Sequence, residues 1–425
     1  MKKILAILLA AIMVLGLAAC GGSTNNNTGN NNNAGPVAEK QVLRVATKGD
    51  PNSLCHVITA VASVNTPAQQ IIQDRLFEYD YKTGSVTPML ATKFEQLSDL
   101  TFRITIRDDV KSWNGDKFVA SDIAYTIKSA VDSGKHDRYY GNFDVDNFKV
   151  ESETSIILAL KKADPFIQTT LSNIPYGMLC EASVKAAGGL EKEDGHDGTM
   201  PNCYTGPYIP SEWVSGTSLK FVRNENYWGD KPYFDEIILY SIPDASARTQ
   251  ALEAGNVDLV LEPVESQVNL VEANDALQVI NLPTTNHHTL FTNVQTAPFD
   301  DENVRIACAL AIDYETNIEV ALGGYGSHSD SILPTKNPMY KTPTNTYYEY
   351  NVEKAKEYIA KSKYAGKMPE VKILYMPQHE QYVPLIQQQW KEIGITVTPT
   401  PISSAAFYDT IATGKEQAWI VNNSN

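Results

Sequence analysis

A strand–helix–strand pattern near the end of this 425-residue chain most constrains what the chain can fold into. A strand is predicted over residues 371–375, and a helix with one apolar stripe is predicted over residues 381–393. Gly394 ends that helix, and residues 395–398 form the next strand. Two strands joined by a crossover helix pair in parallel through a right-handed connection. The pattern therefore predicts a βαβ unit and a fold of the α/β class.

Further strands and helices follow each other along the chain without an internal repeat. Strands are predicted over residues 42–46, 102–106, 155–160, 219–222, 237–241, 258–261 and 288–294. Helices are predicted over residues 122–131, where Ser121 is the expected cap, and over residues 245–254, 302–312 and 351–359. About 400 ordered residues exceed what one hydrophobic core holds, so two or three domains are expected. The chain therefore reads as a mixed α/β protein with several sheets.

The first 19 residues have the order of an export signal. Lys2 and Lys3 precede an apolar run over residues 4–17, and small residues then lead to Cys20. The run is short for a membrane span, which needs about 20 residues. A cysteine at this place resembles the lipobox of bacterial lipoproteins. The resemblance implies cleavage before Cys20, acylation of its thiol and an anchor on the outer face of a membrane. A plain secretory signal that happens to contain Cys20 is the alternative.

An asparagine-rich segment follows Cys20 and separates it from the first strand. Residues 23–35 read STNNNTGNNNNAG, without a charge or an apolar side chain larger than alanine. Such a segment cannot bury enough surface to offset the entropy lost on ordering. Residues 20–40 are therefore predicted to be a disordered tether with a reach of about 25 Å.

The charge of the chain excludes some classes of partner. Without Lys2 and Lys3 of the leader, 33 basic residues face 50 acidic ones, a net charge near −17. Binding to nucleic acid requires a basic surface, and so does electrostatic docking on anionic lipid. We therefore expect no nucleic-acid partner.

Four cysteines remain after Cys20, too few for a disulfide scaffold in a chain of this length. Cys180 and Cys203 flank a polar, glycine-rich segment, and a disulfide between them would join the two ends of that segment. Whether they are bridged is open, because the required distance is not visible in a sequence. Cys308 lies on an apolar helix face and is predicted to be a core thiol.

Motifs of catalysis are missing from the sequence. It has no GxSxG, HExxH, GxxxxGK[ST] or GxGxxG segment. The seven histidines are scattered, and the adjacent His287 and His288 point to opposite faces of a predicted strand. The adjacent acids Asp108-Asp109 and Asp300-Asp301 lie in turns, where solvated carboxylates are the ordinary case. We therefore predict no catalytic residue, no metal and no cofactor, and we expect that the protein is not an enzyme.

Several segments in one order carry a resemblance to a known family. Residues 86–91 (VTPMLA) and 101–107 (TFRITIR) resemble a "P-x-L-A … T-F-x-L-R" stretch, and residues 113–123 resemble "W-x-D-G-x-P-x-T-A-x-D-V". Residues 205–208 (TGPY) and 223–228 (RNENYW) resemble "TGPY … RNPNYW". Residues 298–307 and 311–313 resemble "P-F-x-D-x-x-V-R-x-A … A-I-D". Together these segments resemble the extracytoplasmic solute-binding proteins of peptide and nickel ABC transporters. The residue types in these segments are more typical of structural turns and of the core than of a ligand-binding site.

The resemblance implies an α/β, two-lobed fold of the periplasmic-binding-protein type (class II) with an extra inserted domain. The lobes would close by a hinge on the ligand. The implied division is residues 41–65 plus 184–295 for lobe I, 66–183 for the inserted domain and 296–425 for lobe II. Family members continue for roughly a hundred residues beyond the position that matches Asn425. The second lobe is therefore expected to be incomplete in this chain, as after a C-terminal truncation, and an acid that pairs with a peptide ammonium would lie at or past residue 425.

The resemblance also implies a function. We expect a lipid-anchored, extracytoplasmic or periplasmic substrate-binding protein that captures oligopeptides or dipeptides, as a monomer, and delivers them to the permease of an ABC importer. Candidate ligand-binding residues lie after the first strand, on a crossing strand, on a glycine loop and near the end: Lys48, Gly49, Asp50, Asn52, Asn293, Tyr325, Phe407, Asn422 and Asn423. The alternatives are the same fold with an oligosaccharide or a metal chelate, a surface hydrolase, and a sensory or chaperone-like binder without a transporter.

Overall fold

A computed structural model describes residues 40–424, except 60–63, 81–82, 196–199, 264, 283–285, 330, 332–339, 343 and 345–348. The predicted signal peptide, Cys20 and all of the predicted tether before residue 40 lie outside the described residues. Within the described ranges, no helix is both long enough and apolar enough to cross a membrane.

The described residues form strands and helices in alternation. The strands are β1 Val42–Thr47, β2 Phe77–Asp80, β3 Ser85–Pro88, β4 Ala91–Gln96, β5 Thr101–Ile106, β6 Lys149–Ser152, β7 Ser155–Ala159, β8 Tyr208–Val214, β9 Ser218–Arg223, β10 Glu236–Ser241, β11 Leu259–Val260, β12 Asn286–Thr292, β13 Val371–Tyr375, β14 Val397–Pro401 and β15 Ala418–Ser424. The helices are α1 Thr66–Ile72, α2 Ala120–Asp132, α3 Asp137–Tyr140, α4 Ile167–Leu171, α5 Glu181–Ala187, α6 Ala245–Glu253, α7 Glu265–Glu272, α8 Glu302–Leu310, α9 Tyr314–Leu322, α10 Val352–Lys361, α11 Val383–Glu392 and α12 Ser404–Ala412.

The first sheet has five strands in the order β11-β1-β10-β9-β8. Strand β1 pairs in parallel with β10 and with β11, while β9 pairs antiparallel with β10 and β8. The predicted strands at 42–46, 219–222 and 237–241 are confirmed. Because β1, β10 and β11 run parallel, their carboxyl ends lie at one edge of this sheet.

A second group of strands, between β1 and β8 in the chain, forms a four-stranded antiparallel sheet in the order β4-β5-β7-β6 and the hairpin β2-β3. Phe102, Ile104 and Ile106 alternate inward along β5, as the predicted half-buried strand requires. Helix α2 begins at Ala120 rather than after Ser121. The Asp122 carboxylate accepts the Val119 N–H at 2.8 Å and fixes that start.

The first sheet and this second group share one continuous hydrophobic core. Buried side chains from Val45 in β1 through Ile104 in β5 to Leu239 in β10 belong to a single cluster. The implied boundaries of an inserted domain at residues 65/66 and 183/184 therefore cross one core. The separate inserted domain stays a prediction.

The third sheet has four strands in the order β12-β15-β13-β14. Strand β13 pairs in parallel with β14, Val371 lying opposite Val397, which confirms the predicted βαβ unit. Helix α11 between them begins at Val383, with Pro384 in its first turn, where a missing N–H costs nothing. Trp390 is fully buried, and its Nε1 donates to the Cys308 carbonyl at 3.2 Å.

Strand β12 precedes the implied start of lobe II at residue 296, a boundary that stays a prediction. Asn286–Thr292 pairs antiparallel with β15, so the third sheet includes a strand that the boundary assigned to lobe I. The sequence pattern identified the strand, but its hydrogen-bonding partner lies far along the chain and is not visible in local periodicity.

The bridge between Cys180 and Cys203, which the sequence left open, is not formed in this structure. Both are free, buried thiols, as are Cys55 and Cys308. The Cys180 N–H donates to the Cys203 carbonyl at 2.8 Å, so the two backbones are neighbours. The Cys180 Sγ is directed instead at the Lys117 carbonyl, at 3.8 Å. The two backbones are thus close, while the Cys180 thiol contacts a carbonyl outside the pair.

Candidate ligand-binding site

A pocket of about 230 Å³ lies at the carboxyl edge of the first sheet. Its lining residues come from the ends of β1 and β11, from the start of α1 and from the residues beside them: Thr47, Lys48, Val64, Thr66, Pro67, Gln70, Leu261 and Glu262. In open α/β sheets, ligands bind outside the carboxyl ends of the strands. This edge is therefore the first candidate site.

The charges of the pocket form one ion pair. Lys48 Nζ lies 2.5 Å from Glu262 Oε2, with 38% and 66% of the two side chains exposed. The other described lining residues are uncharged: three apolar side chains (Val64, Pro67 and Leu261), two threonines and one glutamine. The site thus offers one cation, one anion and an apolar wall.

Of the predicted site residues, Lys48, Gly49 and Asn52 belong to the loop that leads from β1 to the pocket. The Gly49 carbonyl accepts the Thr47 hydroxyl at 3.1 Å, and a side chain at position 49 would approach Val64 Cγ1 to 3.2 Å. The Asn52 N–H donates to Asn65 Oδ1 at 2.7 Å. The loop is therefore held against the residues that precede α1.

Asp50, which was predicted to face the ligand, serves the turn between β8 and β9 instead. Its carboxylate accepts Trp213 Nε1 at 2.9 Å, the Gly216 N–H at 2.8 Å and the Ser215 hydroxyl at 3.3 Å. A carboxylate with three internal donors holds this turn in place, and the ligand role of Asp50 stays a prediction.

Asn293 is likewise a structural residue. Its side-chain NH₂ donates to the carbonyls of Gly414 and Glu416, both at 3.0 Å, and its Oδ1 accepts the Gln295 N–H at 3.0 Å. The amide therefore ties the end of β12 to the turn before β15, and its ligand role stays a prediction.

Phe407 is buried. It has no exposed surface and packs in a small core with Leu374, Met376 and Val421. The apolar stripe of α12 turns it inward against protein side chains, and its ligand role stays a prediction.

Tyr325 links two helices. Its hydroxyl makes a hydrogen bond with Glu272 at the end of α7, which raises the pKa of Tyr325 to about 12. Tyr325 itself follows α9, so this bond joins the segments that flank β12 in the chain.

Asn422 and Asn423 lie on β15, opposite His288 and His287 of β12. Strand β15 runs parallel to β13, so both residues are at the carboxyl edge of the third sheet. Asn422 is exposed, and the Asn423 side chain is outside the described part of the structure. Their ligand role stays a prediction.

Two histidines meet at the same edge although their sequence spacing gave no sign of it. The rings of His288 and His379 lie 5.5 Å apart, and the His288 ring lies 5.0 Å from the Tyr382 ring. Burial lowers the pKa of His379 to about 4, so it is neutral near pH 7. Among the residues that the structure describes, no group of three or more His, Cys, Asp or Glu side chains is arranged to hold a metal ion.

Three important residues were missed in the sequence. Glu262 completes the charge pair, and the buried Arg248 donates to the Glu262 carbonyl at 3.3 Å. Asp74 is a fully buried acceptor for Thr205 and Trp228, residues of the TGPY and RNENYW segments. Asp74 therefore explains why those two segments occur together: both donate hydrogen bonds to the same buried carboxylate.

Residues 85–425 match the family model described as bacterial extracellular solute-binding proteins, family 5 Middle. The chain belongs to this family of solute-binding proteins, which serve peptide and nickel ABC transporters. The two-lobed α/β fold predicted from the sequence is thereby confirmed.

Individual relatives differ in the ligand in their names. Heme-binding protein A of Haemophilus influenzae is 25% identical, over 79% of this chain and 65% of its own length. The nickel-binding periplasmic protein of Escherichia coli is 30% identical, over 70% of this chain and 57% of its own length. This chain thus spans less than two thirds of the length of either relative.

A solved structure shares the fold. The periplasmic binding protein DppA of Helicobacter pylori in complex with the peptide STSA aligns with a TM-score of 0.71 and 21% identity. The alignment covers 90% of this chain and 78% of that one. At this identity the likeness concerns the fold.

Proposed function

We propose that this protein captures short peptides outside the membrane and delivers them unchanged to the permease of an ABC importer. Membership of family 5 supports the transport role. The ligand class is our inference from the pocket at the carboxyl edge of β1 and β11.

The observation that carries the peptide proposal is the combination of one cation and an apolar surface in this pocket. A peptide has a carboxylate and side chains of varied size. Lys48 supplies a cation for the carboxylate, and Val64, Pro67 and Leu261 supply an apolar wall for the side chains. Polar groups that orient a ligand on a mostly apolar wall are typical of small-molecule sites.

A second candidate is a non-peptide ligand, either a metal chelate or an oligosaccharide. The relative named for nickel, at 30% identity, favours the chelate. An anionic chelate would use Lys48 but would have no use for the apolar wall, which distinguishes the two candidates in this pocket.

The ligand class is tested on full-length protein that has been unfolded and refolded to remove bound ligand. Native mass spectrometry would follow binding of a tripeptide library, a nickel–histidine chelate and a glycan library. We expect tripeptide adducts that leave with unchanged mass. Adducts with the chelate or the glycans alone would contradict the peptide proposal, and cleaved peptides would contradict the absence of catalysis.

We also propose that the protein is a monomer anchored on the outer face of the cell membrane through acylated Cys20, next to its permease subunits. The lipobox-like order of residues 17–20 supports this. Metabolic labelling with an alkyne fatty acid should mark the wild type and not Cys20→Ser. Cys308→Ala is the matched control and should keep the label. Label on Cys20→Ser would contradict the anchor.

A further inference from the structure

Glu262 has an unusual backbone conformation for its residue type. Among the described residues other than glycine, it alone has a positive φ, +52°. The left-handed region brings Cβ close to the following carbonyl oxygen, so ordinary residues enter it only when surrounding contacts impose it.

A buried arginine contacts the backbone carbonyl of this residue. One guanidinium nitrogen of Arg248 donates to the carbonyls of Ile242 at 2.8 Å and Pro243 at 3.0 Å, and the other donates to the Glu262 carbonyl at 3.3 Å. Arg248 lies on α6 and has only 5% of its surface exposed. The first two bonds hold the guanidinium in place, and the third sets the backbone after β11.

The consequence is the direction of the Glu262 side chain. Its carboxylate meets Lys48 Nζ at 2.5 Å on the rim of the pocket. Lys48 and Glu262 are the only charged groups among the described residues that line the pocket. In this structure the single cation of the described pocket lining is therefore paired with a carboxylate of the same chain.

We propose that Lys48 is the subsite for a carboxylate of the ligand and that Glu262 is a built-in competitor for it. This inference rests on the proposed peptide-binding function. A ligand carboxylate has the same chemistry as the Glu262 side chain and replaces it on Lys48. Because both side chains are partly exposed, their pair is weak and exchangeable.

A competitor of this kind reduces the apparent affinity by the fraction of protein in which the subsite is taken. Its removal should strengthen binding of ligands with a carboxylate by about two- to fivefold, the range expected of an exposed ion pair. It should not affect ligands without one. The two residues must also depend on each other, since Glu262 competes only while Lys48 is present.

The test compares one tripeptide library as free acids with the same library as C-terminal amides, on refolded full-length protein. Glu262→Gln should raise retention of the acids about two- to fivefold and leave the amides unchanged. Lys48→Met should remove the preference for acids. The double variant should equal Lys48→Met. Lys128→Met, in an exposed pair with Asp132 on α2, is the matched control and should behave as wild type.

Three results would overturn the inference. One is a gain for acids from Glu262→Gln in the Lys48→Met background. Another is equal retention of acids and amides by wild type and variants, which would leave the peptide proposal standing. The third is retention of neither library by wild type, which would overturn the peptide proposal and this inference with it.

Discussion

Trp228 Nε1 donates a hydrogen bond to the carboxylate of Asp74 at 2.7 Å, where that carboxylate has no exposed surface. Thr205 Oγ1 at 2.8 Å and the Tyr227 hydroxyl at 3.1 Å donate to the same group. Burial raises the pKa of Asp74, and the three donors oppose that shift. The TGPY and RNENYW segments therefore meet on one acid that follows α1.

Replacement of this acid should destabilise the fold. Asp74→Ala leaves three donors without their acceptor, two of them on partly buried aromatic side chains, and should lower the free energy of unfolding by about 3–5 kcal/mol. Urea denaturation followed by tryptophan fluorescence measures this. Asp230→Ala, an exposed acid two residues after Trp228, should change it by less than about 0.5 kcal/mol. Equal midpoints for the two variants would contradict the role of Asp74.

The glycine of the TGPY segment should not tolerate a side chain. A Cβ at Gly206 would lie 2.3 Å from the Ile72 carbonyl oxygen, which is backbone and cannot move alone. Gly206→Ala should therefore destabilise by more than about 3 kcal/mol, beyond ordinary overpacking. Gly216→Ala, with φ +70° and open space around it, should cost only about 1 kcal/mol. Thermal melting compares the two, and a smaller loss for Gly206→Ala would contradict the close approach.

Asp122 should make stability fall as pH rises. Its carboxylate accepts the N–H groups of Val119 at 2.8 Å and Glu181 at 2.9 Å, yet burial raises its pKa to about 6. The folded state therefore holds the proton longer than the unfolded state, whose pKa is near 3.9. The stability of wild type relative to Asp122→Asn should decline from about pH 4 to about pH 6, by at most about 3 kcal/mol.

Asp109 is a control whose contribution to stability should depend on pH in the opposite direction. The Arg107 guanidinium lies 2.6 Å from its carboxylate and lowers the pKa of Asp109. The stability of wild type relative to Asp109→Asn should therefore be lost as pH falls below about 4. Denaturant midpoints across pH 3–8 measure both slopes, and parallel slopes would refute the assignment for Asp122.

The cysteines should all be reduced in the folded protein. Burial raises the pKa of Cys55 to about 12 and raises that of Cys180 above its ordinary value, so both are protonated and slow to react. Iodoacetamide without reductant should modify Cys55, Cys180, Cys203 and Cys308 only after denaturation. A mass lower by two protons, with Cys180 and Cys203 unmodified, would show the bridge that the structure lacks.

Local features of the fold could be read from the sequence because they depend on neighbouring residues. A helix was predicted from residue 351, and Asn351 caps α10 there, with its Oδ1 accepting the Lys354 N–H at 2.9 Å. Gly394 has a φ of +82° at the end of α11. The start of α2 was predicted two residues late, because Asp122 in the first turn accepts the Val119 N–H and the helix begins before Ser121.

The site was less accessible to sequence reasoning. Lys48 could be found because residues after the first strand of an α/β sheet lie at its ligand-binding edge. Glu262 could not be found in this way. Glycine or asparagine is the usual sequence sign of a left-handed conformation, and the contact of Glu262 with Arg248 is a tertiary one. The internal hydrogen bonds of Asn293 and the burial of Phe407 were also invisible in the sequence, because polarity and aromaticity do not reveal whether a side chain is already satisfied or buried.

The most direct measurement is a crystal structure of the full-length protein with a retained tripeptide. We expect peptide density in the pocket at the ends of β1 and β11, with the peptide carboxylate within hydrogen-bond distance of Lys48 Nζ and Glu262 displaced from it. Peptide density elsewhere, with the Lys48–Glu262 contact intact at its present 2.5 Å, would contradict the account.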